Sequence, residues 1–269
     1  MSKVNVLSIQ FQPKIGKKDF NLQKAKSIIE NNKHLNPDLI VLPEFFNTGI
    51  SLPAFKKLAE PVEKNETVAF FKDVARDLKS YLLVGSIMEF ENGKLYNTSR
   101  LLDRKGDEIA MYRKVHLFDS FGGEEHLYCE PGDRYVTVDT DFGKVGLSVC
   151  FDIRFPLQHV ELVKQGAEII LETAAWSCLN SDLGQYVENW TLLNRTRALD
   201  NKVYFISSNL CGKVDSSLIS CGYSMICAPD GKIVANAKDL EGCVFAQIDT
   251  DYVKECRSQF NMKNLWKTL

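Results

Sequence analysis

The segment from Lys144 to Pro156 constrains this chain more than any other. Lys144-Val145-Gly146-Leu147-Ser148-Val149 is an apolar run, Cys150 ends it, and Phe151-Asp152-Ile153-Arg154-Phe155-Pro156 follows. The run reads as a buried strand. Pro156 suits the first position of a helix, where its missing N–H costs nothing. The thiol therefore falls on a turn between a strand and a helix, near free backbone N–H groups and the positive end of a helix dipole. Both favour the thiolate, the reactive form. From its local sequence alone, Cys150 is equally readable as a buried, inert thiol.

The rest of the chain narrows the setting. Its 269 residues suffice for one large domain or two small ones, and the sequence is 45% apolar and 25% charged. That balance is ordinary for a globular protein with a core of its own. A net charge of -2 argues against a nucleic-acid or anionic-membrane footprint. The opening Met1-Ser2-Lys3-Val4-Asn5-Val6-Leu7 alternates and is too short for a signal peptide. No stretch nears the roughly 18 apolar residues of a membrane span. The expected location is cytoplasmic. Eight cysteines are scattered without a Cys-x-x-Cys pair, and the four histidines show no ligand spacing. Reduced thiols, mostly small core residues, are expected rather than disulfides or a zinc site.

Strand and helix patterns follow one another. Val4 to Phe11 predicts a strand, and Asn21 to Asn32 a helix with Leu22, Ala25, Ile28 and Ile29 on one face. Asp38 to Leu42 predicts a buried strand, and Thr67 to Leu78 a second helix. Tyr81 to Phe90 and Leu95 to Asp103 predict a hairpin turned at Glu91-Asn92-Gly93. A strand is expected from Glu108 to Phe118, then others at Tyr135–Val138, Lys144–Val149 and Glu168–Thr173, with a helix from Pro156 to Gln165. Ser177 to Gln185 reads as a polar loop and Tyr186 to Asp200 as a longer helix. Val203–Asn209, Cys221–Ala228, Lys232–Ala235 and Cys243–Asp249 read as strands, and a last helix begins near Thr250. Many strands with few helices suggest helices outside a two-layer sheet core. Pattern alone leaves a four-layer sandwich and a doubly wound sheet both open.

Two further residues have the right chemistry for a thiol site. Glu44 follows the run Leu39-Ile40-Val41-Leu42-Pro43, so its carboxylate emerges at a strand tip or must be paired. A general base is what a thiol nucleophile needs, and desolvation would tune Glu44 for it. Lys114, in Tyr112-Arg113-Lys114-Val115-His116-Leu117-Phe118, would supply positive charge to a tetrahedral oxyanion, together with the Phe151 N–H. Taken singly, Glu44 reads first as a surface loop acid and Lys114 as a solvated strand lysine; together with Cys150 they specify a thiol site.

In order, these segments resemble the nitrilase superfamily of carbon–nitrogen hydrolases over nearly the whole chain. The carrying stretches are Leu42-Pro43-Glu44-Phe45-Phe46 with Thr48-Gly49, Tyr112 to Phe118, Glu130-Pro131-Gly132, and Val145 to Pro156. Asn194-Arg195-Thr196-Arg197-Ala198-Leu199-Asp200-Asn201 and Gly222-Tyr223-Ser224 complete the set. The resemblance implies one domain over residues 1–269 with an α-β-β-α sandwich fold. It implies Glu44 as base, Lys114 as oxyanion stabiliser and Cys150 as nucleophile. It also implies a second glutamate before the Pro-Gly; of Glu124 and Glu125, the distance from Pro131 favours Glu125. Relatives pair through helices, so a homodimer or higher homo-oligomer is expected, with His159 and Leu162 read either as interface or as packing on their own sheet. Trp266 in the tail reads either as a dimer contact or as closing the subunit core.

Around the pocket the readings stay double. Arg154 either holds the turn by pairing with Asp152 or Glu172, or binds a substrate carboxylate as a planar fork. Trp176, ending Leu171-Glu172-Thr173-Ala174-Ala175-Trp176, is a pocket wall or a core aromatic. Glu172 selects a cationic substrate or satisfies Arg154. The Cys150 segment is most similar to the branch containing ω-amidases, so a small dicarboxylate monoamide is the expected substrate, with a carbamoyl-amine or other aliphatic amide next and a nitrile behind both. Rivals are acyl transfer to an amine, a binding protein that kept the fold, and a Cys–His protease. The expected chemistry needs only side chains, so no metal or organic cofactor is called for.

Overall fold

The chain alternates strands and helices in a computed structural model that describes residues 2–120, 123–259 and 262. The first half comprises β1 (Lys3–Gln10), α1 (Lys18–Asn31), β2 (Leu39–Val41), α2 (Leu52–Leu58), β3 (Glu60–Pro61), α3 (Glu66–Leu78), β4 (Tyr81–Glu91), β5 (Lys94–Leu102) and β6 (Glu108–Arg113). The second comprises β7 (Thr137–Thr140), β8 (Gly143–Val149), α4 (Pro156–Lys164), β9 (Ile169–Ala174), β10 (Ser177–Leu179), α5 (Leu183–Asn201), β11 (Tyr204–Asn209), β12 (Cys211–Lys213), β13 (Leu218–Cys221), β14 (Met225–Cys227), β15 (Ile233–Asn236), β16 (Gly242–Asp249) and α6 (Asp251–Ser258).

Two sheets form the centre. One runs β16-β1-β2-β4-β5-β6 with β3 beside β4; the other runs β15-β14-β11-β9-β8-β7. In each, the middle strands are parallel and the edges antiparallel. Strand alternation sorts the side chains into layers. Val4 and Val6 of β1 meet Leu147, Leu171 and Ile206 between the sheets, whereas Leu7 and Ile9 face outward onto Leu22, Ala25 and Ile29 of α1 and Phe71 and Val74 of α3. On the far side, Ile170 and Phe205 lie under Leu162 of α4 and Trp190 and Ala198 of α5. The result is a four-layer α-β-β-α sandwich, which resolves the choice that pattern left open. Each large apolar side chain so buried contributes about 1.5–3 kcal/mol.

Local signals account for several boundaries. Asn65 caps α3 by accepting from the Val68 N–H, and Ser51 caps α2 from the Ala54 N–H. Pro156 opens α4 as expected. Three expectations need correction, and one helix is additional. The strand from Glu108 ends at Arg113, so Lys114 stands just past it and not within it. Helix α2 lies where the pattern predicts no element. The polar stretch from Ser177 is a short strand, a single 3-10 turn and the first turn of α5. The expected strand Cys221–Ala228 is two, β13 and β14, broken where Tyr223 takes φ 55°. Trp266 lies outside the described residues.

Candidate active site

Glu44, Lys114 and Cys150 each follow the C-terminal end of a strand: β2, β6 and β8 respectively. The peptides around Glu44 are held close to β4. A Cβ on Gly85 would lie 2.1 Å from the Pro43 carbonyl oxygen, so only glycine admits the approach. Phe45 turns with φ 52° and its N–H donates to the Ser86 carbonyl, 2.7 Å. Cys150 itself has φ 51° and begins a 3-10 turn, Cys150–Arg154. A non-glycine residue adopts this conformation only where the surroundings impose it.

The three side chains converge with Glu125. Lys114 Nζ donates to Glu125 Oε2 at 2.8 Å and to Glu44 Oε1 at 3.3 Å. Glu44, Lys114 and Glu125 are 1%, 2% and 3% exposed, so water screens none of these charges. Asn97 on β5 donates to both acids, to Glu44 Oε1 at 2.8 Å and Glu125 Oε1 at 3.1 Å. The Ala175 N–H fixes Glu44 Oε2 at 2.8 Å and the Phe118 N–H fixes Glu125 Oε2 at 2.7 Å. Glu124, the alternative second glutamate, is exposed.

Electrostatics assign protonation states. Burial pulls the Lys114 pKa down, but Glu125, then Glu44 and Cys150, outweigh it and hold the pKa well above 10.5. The two carboxylates therefore favour the charged lysine. The Cys150 thiol is pushed well above its ordinary value, first by burial and then by the Glu44 charge, with Lys114 opposing. Desolvation and the Glu44 charge thus favour the neutral thiol over the thiolate, against the turn's N–H groups.

The pocket residues separate. Phe151 is buried, and its ring meets those of Phe118 and Phe155 edge-on. The Arg154 guanidinium lies 4.8 Å from the Trp176 ring and 5.9 Å from that of Phe151. Trp176 is buried beside Tyr186 and Trp190. Glu172 lies beneath the site. It shares the helix-side face of β9 with Ile170 and Ala174, fully buried, between Ser148 and Ser207 on the flanking strands. Among the described residues neither of its oxygens has a hydrogen-bond partner. Burial raises its pKa well above 4.5, which favours the neutral acid. His159 and Leu162 are fully buried in the subunit, which rules them out as interface residues.

Sequence reasoning missed Asn97. Its signal was a polar residue inside an otherwise buried hairpin strand, which alternation alone assigns to either face. Among the described residues no cluster of three or more His, Cys, Asp or Glu side chains is arranged to hold a metal.

A sandwich of this kind with an acid, lysine and thiol at its strand ends matches known proteins. The carbon–nitrogen hydrolase family model matches residues 5–258. The chain belongs to that family, within the nitrilase superfamily, and is a hydrolase of carbon–nitrogen bonds other than peptide bonds. It is 35% identical to an omega-amidase of Saccharomyces cerevisiae, over 95% of this chain and 90% of that protein. It is 31% identical to a human omega-amidase, over 96% and 93%. The crystal structure of the Saccharomyces cerevisiae protein Nit3, described as a member of branch 10 of the nitrilase superfamily, superposes with a TM-score of 0.87 at 32% identity, covering 96% of this chain and 94% of that one. A carbon–nitrogen hydrolase from Helicobacter pylori superposes with a TM-score of 0.90 at 25% identity, covering 99% and 96%.

Proposed function

We propose that this protein is a thiol-dependent amidase, acting on the monoamide of a small dicarboxylic acid. The observation that carries this reading is the buried Lys114 cation, clamped between Glu44 and Glu125 beside a neutral Cys150 thiol. A neutral thiol must lose its proton as it attacks, and Glu44 is the base within reach.

The steps follow. Cys150 Sγ attacks the amide carbon while its proton passes to Glu44. Lys114 and the Phe151 N–H hold the tetrahedral oxyanion, in a site where preorganised charge acts with little screening. Glu44 returns the proton to the amide nitrogen, the C–N bond breaks, ammonia leaves, and a thioester remains. Glu44 then takes a proton from water, whose oxygen attacks the thioester. The acid departs, and the proton returns to Cys150 sulfur. Glu125 keeps Lys114 charged and aimed. Arg154, poised between the rings of Trp176 and Phe151, would bind the substrate's distal carboxylate. With Glu172 neutral and turned to the helix layer, the carbamoyl-amine reading loses the residue that motivated it.

We further read the chain as one catalytic unit that pairs with a second copy. Leu157 on α4 and Leu192 on α5 are 61% and 63% exposed, and a partner subunit would cover them. All eight cysteines are free, in keeping with a reducing, cytoplasmic setting.

The experiment is trapping. The protein is incubated with a panel of small amides, including monoamides of dicarboxylic acids, then quenched and weighed intact. An acyl adduct on Cys150 that is absent from Cys150→Ala is expected with the monoamides. Turnover that survives Cys150→Ala would end the reading.

A further inference from the structure

Asp152 does more than follow the nucleophile by two residues. It is fully buried in the turn Cys150–Arg154, and every acceptor position of its carboxylate is used. Oδ1 accepts from the His116 backbone N–H at 2.9 Å and lies 2.9 Å from His116 Nδ1. Oδ2 accepts from the Tyr112 hydroxyl at 2.7 Å and the Val149 N–H at 2.9 Å. The Tyr112 oxygen in turn accepts from the Val115 N–H at 3.3 Å and from Gln158 Nε2 of α4 at 3.0 Å. Residues 112, 115 and 116 bracket Lys114. Val149 immediately precedes Cys150. The His116 ring lies flat on Phe155, centroids 3.7 Å apart and 8° between planes, so its Nδ1 has little freedom to leave Asp152.

We propose that Asp152 is a positioning residue for the amidase reaction: one carboxylate binds the loop that carries Lys114 and the turn that carries Cys150, and so fixes the ammonium against the sulfur. The inference rests on the catalytic roles given above to Lys114 and Cys150. Those two residues lie on different sheets. Among the hydrogen bonds of the described residues, the Asp152 carboxylate joins their two loops directly. The Val149 bond also closes the turn in which Cys150 takes its positive φ, a conformation that persists only where neighbours enforce it. The donors hold Asp152 ionised although burial opposes this; the largest of them is the His116 ring, and the Tyr112 hydroxyl comes next. An asparagine has the same shape but turns one side into a donor. That N–H₂ would face either the His116 N–H groups or the Val149 N–H, and one of the two loops would be released.

The test uses the full chain with Asp152→Asn and, separately, Tyr112→Phe. Three quantities are read: kcat and KM for amide hydrolysis per reactive thiol, the pH profile of iodoacetamide alkylation at Cys150 by peptide mass, and the melting temperature. For Asp152→Asn the expected result is a fall in kcat of roughly 100-fold, the scale of an ångström's misplacement, with KM little changed. The alkylation profile should move to higher pH, because Lys114 no longer steadies the thiolate. Tyr112→Phe should move both in the same direction by less. If both variants melt earlier yet keep the parent kcat per thiol and the parent alkylation profile, Asp152 is merely structural and the proposal fails. If Asp152→Asn is not recovered folded, Tyr112→Phe decides by the same readouts, and parent values there overturn it. Alkylation needs no substrate, so a parent protein without amide turnover would sink the amidase reading separately.

Discussion

Lys114 Nζ lies 2.8 Å from Glu125 Oε2, with both side chains almost wholly shut off from water. A buried pair of this kind is poor evidence for stability gained, because desolvation offsets most of the attraction. It is good evidence for a charge held where chemistry needs it. Removing one partner leaves the other uncompensated. Glu125→Gln is therefore expected to reduce kcat by about 10²-fold and to destabilise the fold by about 3–5 kcal/mol. Steady-state amide hydrolysis and urea denaturation check the two parts separately.

Asn97 holds the two acids apart and in place. Its Nδ2 serves Glu44 and Glu125 together, while its carbonyl accepts from the Lys114 N–H at 2.9 Å. Asn97→Ala should lower kcat roughly tenfold or more through lost alignment, at a stability cost of about 1–3 kcal/mol for the unsatisfied carboxylate oxygens. Unchanged kinetics in this variant would show that the backbone N–H groups of Ala175 and Phe118 align the acids unaided.

Gly85→Ala tests the backbone beneath Glu44. The added methyl would sit 2.1 Å from the Pro43 oxygen and 2.3 Å from the Leu42 oxygen, so Pro43-Glu44 or β4 must move. A loss of about 1–3 kcal/mol is expected, with kcat falling more than the melting temperature alone explains. Denaturation curves and activity per reactive thiol provide the comparison.

Glu172 predicts a dependence of stability on pH. Its pKa in the fold stands well above 4.5, chiefly through burial. Above pH 4.5 the unfolded chain gives up this proton while the folded protein keeps it. Stability therefore falls as pH rises from 4.5 toward the folded pKa, at up to about 1.4 kcal/mol per pH unit for this one group. Glu172→Gln cannot ionise, so it should flatten that decline and be the more stable protein at pH 8. Thermal melts of both proteins from pH 5 to pH 9 would show this; parallel curves would contradict it.

Much of the fold and part of the site can be read from local sequence, for a physical reason. The turn at Cys150 is written in neighbours: an apolar run, a thiol, then a proline suited to a helix start. Strand and helix periods place β1, α1, α3 and the β4–β5 hairpin to within a few residues, because backbone geometry repeats over short spans. Helix α2 escaped because it is short and its order comes from packing Phe55 against Phe45, 4.3 Å between ring centroids.

By itself, then, the sequence determined the order of strands and helices, the strand-to-turn setting of the thiol, and the identity of the acid and lysine as candidates. Only the tertiary structure buried Glu125 while leaving Glu124 exposed, brought in Asn97, desolvated the Cys150 thiol, and placed Glu172 on the helix-side face of β9. Each of those outcomes depends on desolvation and on charges that arrive from distant strands. Glu44 and Lys114 are 70 residues apart in the chain and 3.3 Å apart in space. Protonation and hydrogen-bonding are properties of that shared, water-poor volume, and no window of sequence contains it.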